Sequence, residues 1–169
     1  MAIYTRLSEN NLKEFFLKYN LGQLLNYKGI QEGIENTNYF IQTDSGKFIL
    51  TVYEKRVEEK DLPFFMGLLR NLFDANFPSP KPIINKNGNY ISEISGKKAA
   101  IVSFLNGSAK KNLSPSDCHK AGIQTAKLHM ITKNLPGKRE NRLSINSWRK
   151  IYKKIQKDCS RIHPNLANT

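Results

Sequence analysis

Residues 24–53 read LLNYKGIQEGIENTNYFIQTDSGKFILTVY. Their apolar side chains recur with the period of two that places successive residues on opposite faces of a strand. Leu24–Ile30 is expected as one strand and Asn38–Thr43 as a second, with Tyr39 and Ile41 on one face and Phe40 on the other. Lys47–Tyr53, rich in β-branched and aromatic residues, is expected as a third. Gln31–Glu35, which contains Gly33, forms the first turn, and Asp44-Ser45-Gly46 is a tight hairpin signal. Three antiparallel strands in succession cannot hide both faces by themselves and need a helix on one side.

Outward from this meander the period changes to that of a helix. Upstream, Ser8–Tyr19 places Leu12, Phe15, Phe16 and Tyr19 on one face, with Ser8 as N-cap, Glu9 in the first turn and Gly22 in the C-terminal cap region. Downstream, 58–73 carries a broad stripe of Phe64, Phe65, Leu68, Leu69, Leu72 and Phe73, with Pro63 in the first turn. This helix is assigned as the cover of the sheet. The breaker-rich link NFPSPKP follows at 76–82. Ile83–Ile84 and Tyr90–Ile94, joined through Asn87-Gly88, suggest a further hairpin. After the turn at Ser95-Gly96, Ala99–Leu105 is expected as a buried strand ending at Asn106-Gly107. Ser114-Pro115-Ser116-Asp117 resembles a capping box and opens a helix to about Met130. A last helix, from Ser147 to about Cys159, has an apolar face of Trp148, Ile151, Tyr152, Ile155 and Cys159 and a basic back. The organisation is a small β-rich lobe, 1–107, followed by helical sequence, 108–169.

The 169 residues are 39% apolar and 24% charged, with no apolar run of transmembrane length and no secretory h-region. Cys118 and Cys159 are the only cysteines, which points to a reduced, cytoplasmic protein rather than a disulfide scaffold. The net charge of +13 suits an anionic partner. The basic residues are spread along the chain rather than gathered into an arm, so solvated lysines are favoured over nucleic-acid or membrane binding.

The hairpin Gly29–Asn38 is the first candidate site. Its glycines, four apart, let backbone N–H groups approach phosphate oxygens, and Asn36 and Asn38 add amide donors. Alone it is also what an ordinary hairpin looks like, and there is no Walker sequence. The second candidate is the charged end of the third strand, Glu54-Lys55-Arg56. Lys55, with Glu58, Glu59 or Asp61, could supply a cation and its orienting acid. From spacing alone a solvated strand end with a weak surface ion pair is the better reading. His129 reads as a packing residue, and neither a zinc spacing, a GxSxG serine nor a carboxylate pair for acid–base work is present.

Taken together, YKGIQEGIENTNYF at 27–40, FILTVYEKRV at 48–57 and DLPFF at 61–65 closely resemble the homoserine kinases of the aminoglycoside phosphotransferase/choline kinase-like superfamily. Ala99–Gly107 (AAIVSFLNG) resembles the strand leading to that family's interlobe hinge, and Ala126-Lys127-Leu128-His129 its helix ending in histidine. The resemblance covers nearly the whole chain. It implies an α+β, protein-kinase-like fold: a small lobe with a five-stranded antiparallel sheet plus a helix, then the start of a helical lobe. It implies transfer of the ATP γ-phosphoryl group to the hydroxyl of L-homoserine, a step of threonine biosynthesis. ATP and L-homoserine are then the small-molecule partners. Carried over by position, Gly29, Ile30, Gly33, Ile34, Asn36 and Asn38 belong to the hairpin that covers the nucleotide, and Ser103–Asn106 is the adenine-facing hinge, through backbone groups of Phe104 and Leu105.

Two departures stand out. Thr51 occupies the strand position where many relatives place a phosphate-binding cation, which leaves Lys55 or another residue for that role and Glu59 or Asp61 as the helix acid. The His-x-Asp-x-x-x-x-Asn loop of the superfamily has no counterpart, since no aspartate follows His163-Pro164-Asn165. The general base and the Mg²⁺ ligands are therefore expected from further sequence of a longer chain, and the 169 residues alone are expected to be inactive. The competing expectations are another small-molecule kinase of the same fold, acting on choline or an aminoglycoside, and a non-catalytic nucleotide-binding or interaction module.

Overall fold

The computed structural model describes residues 3–55, 57–137, 139–141, 144–159 and 161–163. Arg56, Pro164 and Asn165, which entered the sequence reading, lie outside the described residues. The chain divides into two compact units, Met1–Gly137 and Lys138–Thr169.

The first unit opens with helix α1, Glu9–Phe16. Ser8 caps it, and the capping box is closed by Asn11, whose Oδ1 accepts from the Ser8 N–H at 3.1 Å. Strands β1 (Leu24–Ile30), β2 (Thr37–Thr43) and β3 (Gly46–Val52) follow as an antiparallel meander. Gly22, at φ +76°, turns the chain into β1, and a Cβ there would sit 1.6 Å from Asp44 Oδ1. That carboxylate accepts the Gln23 N–H at 3.1 Å, so the close approach pins the start of β1 to the β2–β3 turn.

A 3-10 turn, Glu59–Asp61, leads into helix α2, Leu62–Asp74, with Pro63 in its first turn. Strands β4 (Pro82–Ile83), β5 (Ile91–Ile94) and β6 (Lys97–Ser103) complete the sheet. The sheet order is β1-β2-β3-β6-β4, with β5 also paired to β6. Six strands therefore fill the five positions expected.

The hairpin expected from Ile83–Ile84 and Tyr90–Ile94 does not form. β5 pairs instead with β6 across a two-residue turn, where Ser95 (φ 50°) and Gly96 (φ 71°) both adopt positive φ. This is the tight turn geometry whose twist matches flanking strands. β4 then pairs with the remaining length of β6, through Ile101 and Val102.

The core also corrects the sequence reading. Leu12, Phe15 and Phe16 of α1, with Tyr19 in the turn that follows it, pack with Tyr39, Ile41, Phe48, Leu50, Val52, Ala99 and Ile101 in one buried cluster. Burial of each large apolar side chain contributes about 1.5–3 kcal/mol. α1, not α2, is thus the cover of this sheet face. Leu62, Met66 and Leu72, the buried residues of α2, lie outside that cluster, and α2 packs against β4 and against helix α3, Pro115–Thr132. α3 starts as expected at the Ser114/Asp117 capping box. The second unit contains helix α4, Ile145–Cys159, on which Trp148, Ile151, Tyr152 and Ile155 are exposed. No described helix is long and apolar enough to cross a membrane.

Candidate functional site

Strand alternation divides the expected site residues between the two faces of the sheet. Thr37, Tyr39, Leu50, Val52, Ala99 and Ile101 point into the α1 core. On the other face the register places Ile30 opposite Asn38, Asn38 opposite Thr51 and Thr51 opposite Ala100, forming one transverse row. The next row runs Phe40, Ile49 and Val102. The Thr51 hydroxyl donates to Asn38 Oδ1 at 2.8 Å, which fixes the Asn38 amide. Phe104 closes one end of this face, its ring meeting Phe40 edge-on with centroids 5.3 Å apart. Ile30, Asn38, Thr51 and Phe104, four of the residues singled out by sequence, are thus brought to one half-buried surface.

Others are not. Gly29 belongs to the core side, where an added Cβ would lie 2.4 Å from Ile3 Cδ1 and 3.6 Å from Tyr39 Cε1. Its missing side chain makes room for the N-terminal segment. Gly33 is the permissive glycine of the loop: its φ is +109° and the space around it is open. Ile34 is 73% exposed at the loop tip. Asn36 uses its Oδ1 to accept the Glu54 N–H at 3.3 Å, which leaves its NH₂ outside that bond.

At the expected hinge, Ser103 is committed to Lys81: its N–H donates to the Lys81 carbonyl and its Oγ accepts the Lys81 N–H, both at 2.9 Å. The Phe104 N–H donates to the Lys47 carbonyl at 3.1 Å. Sheet hydrogen bonding therefore takes the backbone donors of Ser103 and Phe104, while Leu105, just past the strand, is exposed.

The charged end of β3 is arranged differently from the sequence expectation. Lys55 is exposed, and the acids proposed for it pair elsewhere: Glu58 with Lys60 at 2.8 Å and Glu59 with Lys98 at 3.8 Å. Asp61 is buried where the 3-10 turn meets α2. The least exposed carboxylate among the ion pairs of this region is Glu54, paired with Lys97. Glu54 Oε1 also accepts the Thr5 and Thr37 hydroxyls, each at 2.7 Å, and Lys97 Nζ donates to Thr5 Oγ1 at 2.7 Å. Burial alone would push the Glu54 carboxyl up, but hydrogen bonds from Lys97, Thr5 and Thr37 and the lysine's charge together hold it below the usual range. Next to it, burial pushes the Tyr53 phenol up to about 12.

A cleft of about 390 Å³ opens here, lined by Tyr4, Ile34, Glu35, Glu54, Lys55 and Lys97. Sequence reasoning did not assign Tyr4, Thr5 or Lys97 to a site: Tyr4 lines the cleft, and Thr5 and Lys97 meet Glu54 from 49 and 43 residues away. No local pattern announces such long-range partners. Among the described residues, no cluster of three or more His, Cys, Asp or Glu side chains is placed to hold a metal ion.

The sequence profile of the phosphotransferase enzyme family matches residues 26–161. A homoserine kinase from Beijerinckia indica is 42% identical over 100% of this chain and 53% of its own length. One from Paramagnetospirillum magneticum is 40% identical over 100% of this chain and 52% of its own. The chain thus spans about half the length of the curated relatives it matches. Among solved structures, spectinomycin phosphotransferase in complex with ADP and spectinomycin superposes with a TM-score of 0.67 at 15% identity, covering 92% of this chain and 48% of that one. The microcompartment-associated aminopropanol kinase gives a TM-score of 0.61 at 12% identity, over 95% of this chain and 58% of its own. These likenesses show a kinase-like fold.

Proposed function

The chain belongs to the phosphotransferase enzyme family, and on that premise we propose that it is the nucleotide-binding half of an ATP-dependent homoserine kinase. The observation that carries the reading is identity of 40–42% to homoserine kinases over essentially every residue of the chain. The whole protein would transfer the γ-phosphoryl group of ATP to the hydroxyl of L-homoserine, giving O-phospho-L-homoserine for threonine biosynthesis.

In this reading residues 1–107 are the nucleotide lobe and 108–169 begin the helical lobe. ATP lies against the face that carries Ile30, Asn38 and Thr51. Supporting this placement, that face holds two polar side chains already fixed to each other, flanked by half-buried apolar ones, while α1 fills the opposite face. Ile30 and Ile34 border the nucleotide, and loop N–H groups around Gly33 meet the phosphates. Ser103 shapes the hinge rather than offering its backbone N–H to adenine, because the Lys81 carbonyl takes that donor. The Phe104 carbonyl and the Leu105 N–H are the hinge groups assigned to the base. Lys55, Glu59 and Asp61 remain candidates beside the phosphate end, with Lys55 the exposed cation.

Among the described residues no three His, Cys, Asp or Glu side chains gather that would by themselves hold Mg²⁺. Its ligands and the general base are placed in the part of the relatives' length that this chain does not span. What these residues do is bind and orient ATP, which turns a bimolecular encounter into a positioned one. The test is acceptor-dependent ADP release by a protein spanning the relatives' full length. Homoserine should support turnover, and choline and aminoglycosides should not. Turnover with one of those and none with homoserine would replace the acceptor and keep the fold.

A further inference from the structure

We infer that the N-terminal strap Ile3–Leu7, anchored on Glu54, sets the position of the loop between β1 and β2, making Tyr4, Thr5 and Glu54 positioning residues for the phosphate-covering segment. The inference rests on the reading of that loop as the nucleotide cover. It adds a control point on the sheet face opposite the proposed nucleotide row.

The geometry is a closed set of bonds. Thr37, fully buried at the start of β2, uses its Oγ1 to accept both the Tyr4 N–H at 3.0 Å and the Thr5 N–H at 3.1 Å. Its hydroxyl proton goes to Glu54 Oε1. Thr5 donates to the same oxygen and accepts from Lys97, so the strap is held by side chains from β6 and from the end of β3. The strap is also latched further along, where the Tyr39 hydroxyl donates to the Thr5 carbonyl at 2.8 Å and accepts the Leu7 N–H at 3.0 Å.

Two bonds reach the loop, one from the strap and one from its anchor. The Tyr4 hydroxyl donates to the Ile34 carbonyl at 3.1 Å. The Glu54 N–H donates to Asn36 Oδ1. Gly33 and Ile34 otherwise sit in open space, with positive φ at Gly33 and an exposed side chain at Ile34. A loop with little packing of its own exchanges among conformations at low cost. These two bonds select one of them. If only that conformation receives phosphates, apparent nucleotide affinity scales with its population.

Two readouts on the 169-residue chain test this. The first, taken without nucleotide, is hydrogen exchange of the Gly33–Asn36 amides, with β6 and α1 amides as internal controls. The second is ADP affinity. Tyr4→Phe keeps the ring and deletes one bond to the loop. It should speed loop exchange about 3- to 10-fold, the worth of one hydrogen bond, leave the control amides unchanged and weaken ADP by a similar factor. Thr5→Val should do the same or more, and Thr5→Ser, which restores the hydroxyl, should return both readouts toward the parent. Unchanged loop exchange in Tyr4→Phe and Thr5→Val would overturn the positioning role. Faster loop exchange with unaltered ADP affinity would overturn the link to the nucleotide. If the parent chain binds no ADP, the nucleotide reading fails, and loop exchange still decides whether the strap positions the loop.

Discussion

Replacing Glu54 by glutamine tests how much the fold depends on a single carboxylate. The Glu54 side chain is 10% exposed and receives two hydroxyls at 2.7 Å and the Lys97 ammonium. Glutamine keeps one acceptor oxygen but presents an NH₂ where the second was, so a donor faces a cation. A hydrogen bond to a charged group contributes about 1.5–3 kcal/mol. Lys97 is 37% exposed, and water screens part of its share. The expected loss is about 2 kcal/mol, which for a chain of this size lowers Tm by roughly 4–8 °C. The pH dependence gives the signature. Because folding lowers the Glu54 pKa, its stabilisation is complete above the unfolded value of about 4.3 and disappears as pH falls through the folded value. Thermal unfolding followed by circular dichroism should therefore show a Tm gap between parent and Glu54→Gln at pH 7 that narrows progressively below pH 4. Equal Tm at pH 7, or a gap that stays constant into acid, would refute the reasoning.

Other expectations follow from separate parts of the structure. Phe15→Ala, at a side chain 2% exposed, should cost about 3–5 kcal/mol in urea unfolding, whereas a small loss would mean that α1 does not cover the sheet. Ser114→Ala removes the α3 cap and should lower stability by about 1 kcal/mol. In the parent, the Asp117 carboxyl should titrate near its value of about 2, held down first by Lys110 and then by Ser114, in a carboxyl-detected NMR titration. Raising the pH should leave one tyrosine un-ionised until about 12, and Tyr53→Phe should remove that last step from the ultraviolet titration.

The meander was legible because period-two patterning and turn chemistry agreed: Asp44-Ser45-Gly46 and the alternation of Tyr39, Phe40 and Ile41 place β2 and β3 within a residue of their observed bounds. The caps of α1 and α3 were legible for the same local reason. The partner of each element was not. The stripe on 58–73 looked suited to cover the sheet, yet that role fell to the shorter α1, since an apolar face does not state what it packs against. Pairing of β5 was missed because the Asn87-Gly88 signal competed with Ser95-Gly96, and the two-residue turn won. In the site, Ile30 and Thr51 were singled out through the family resemblance, and the observed register sets them on either side of Asn38. The Thr5–Glu54–Lys97 set was not legible, because its members come from three distant segments, and Gly29 looked functional although its missing Cβ serves the core.

The sharpest discrimination comes from titrating ADP into isotope-labelled 169-residue chain and mapping amide shifts. Saturable changes should concentrate at Ile30, Gly33, Asn38, Thr51 and Leu105 and spare the core residues of α1. Saturable changes confined to the groove of Pro63, Met66 and Tyr90, or none at millimolar ADP, would contradict nucleotide binding on this face of the sheet.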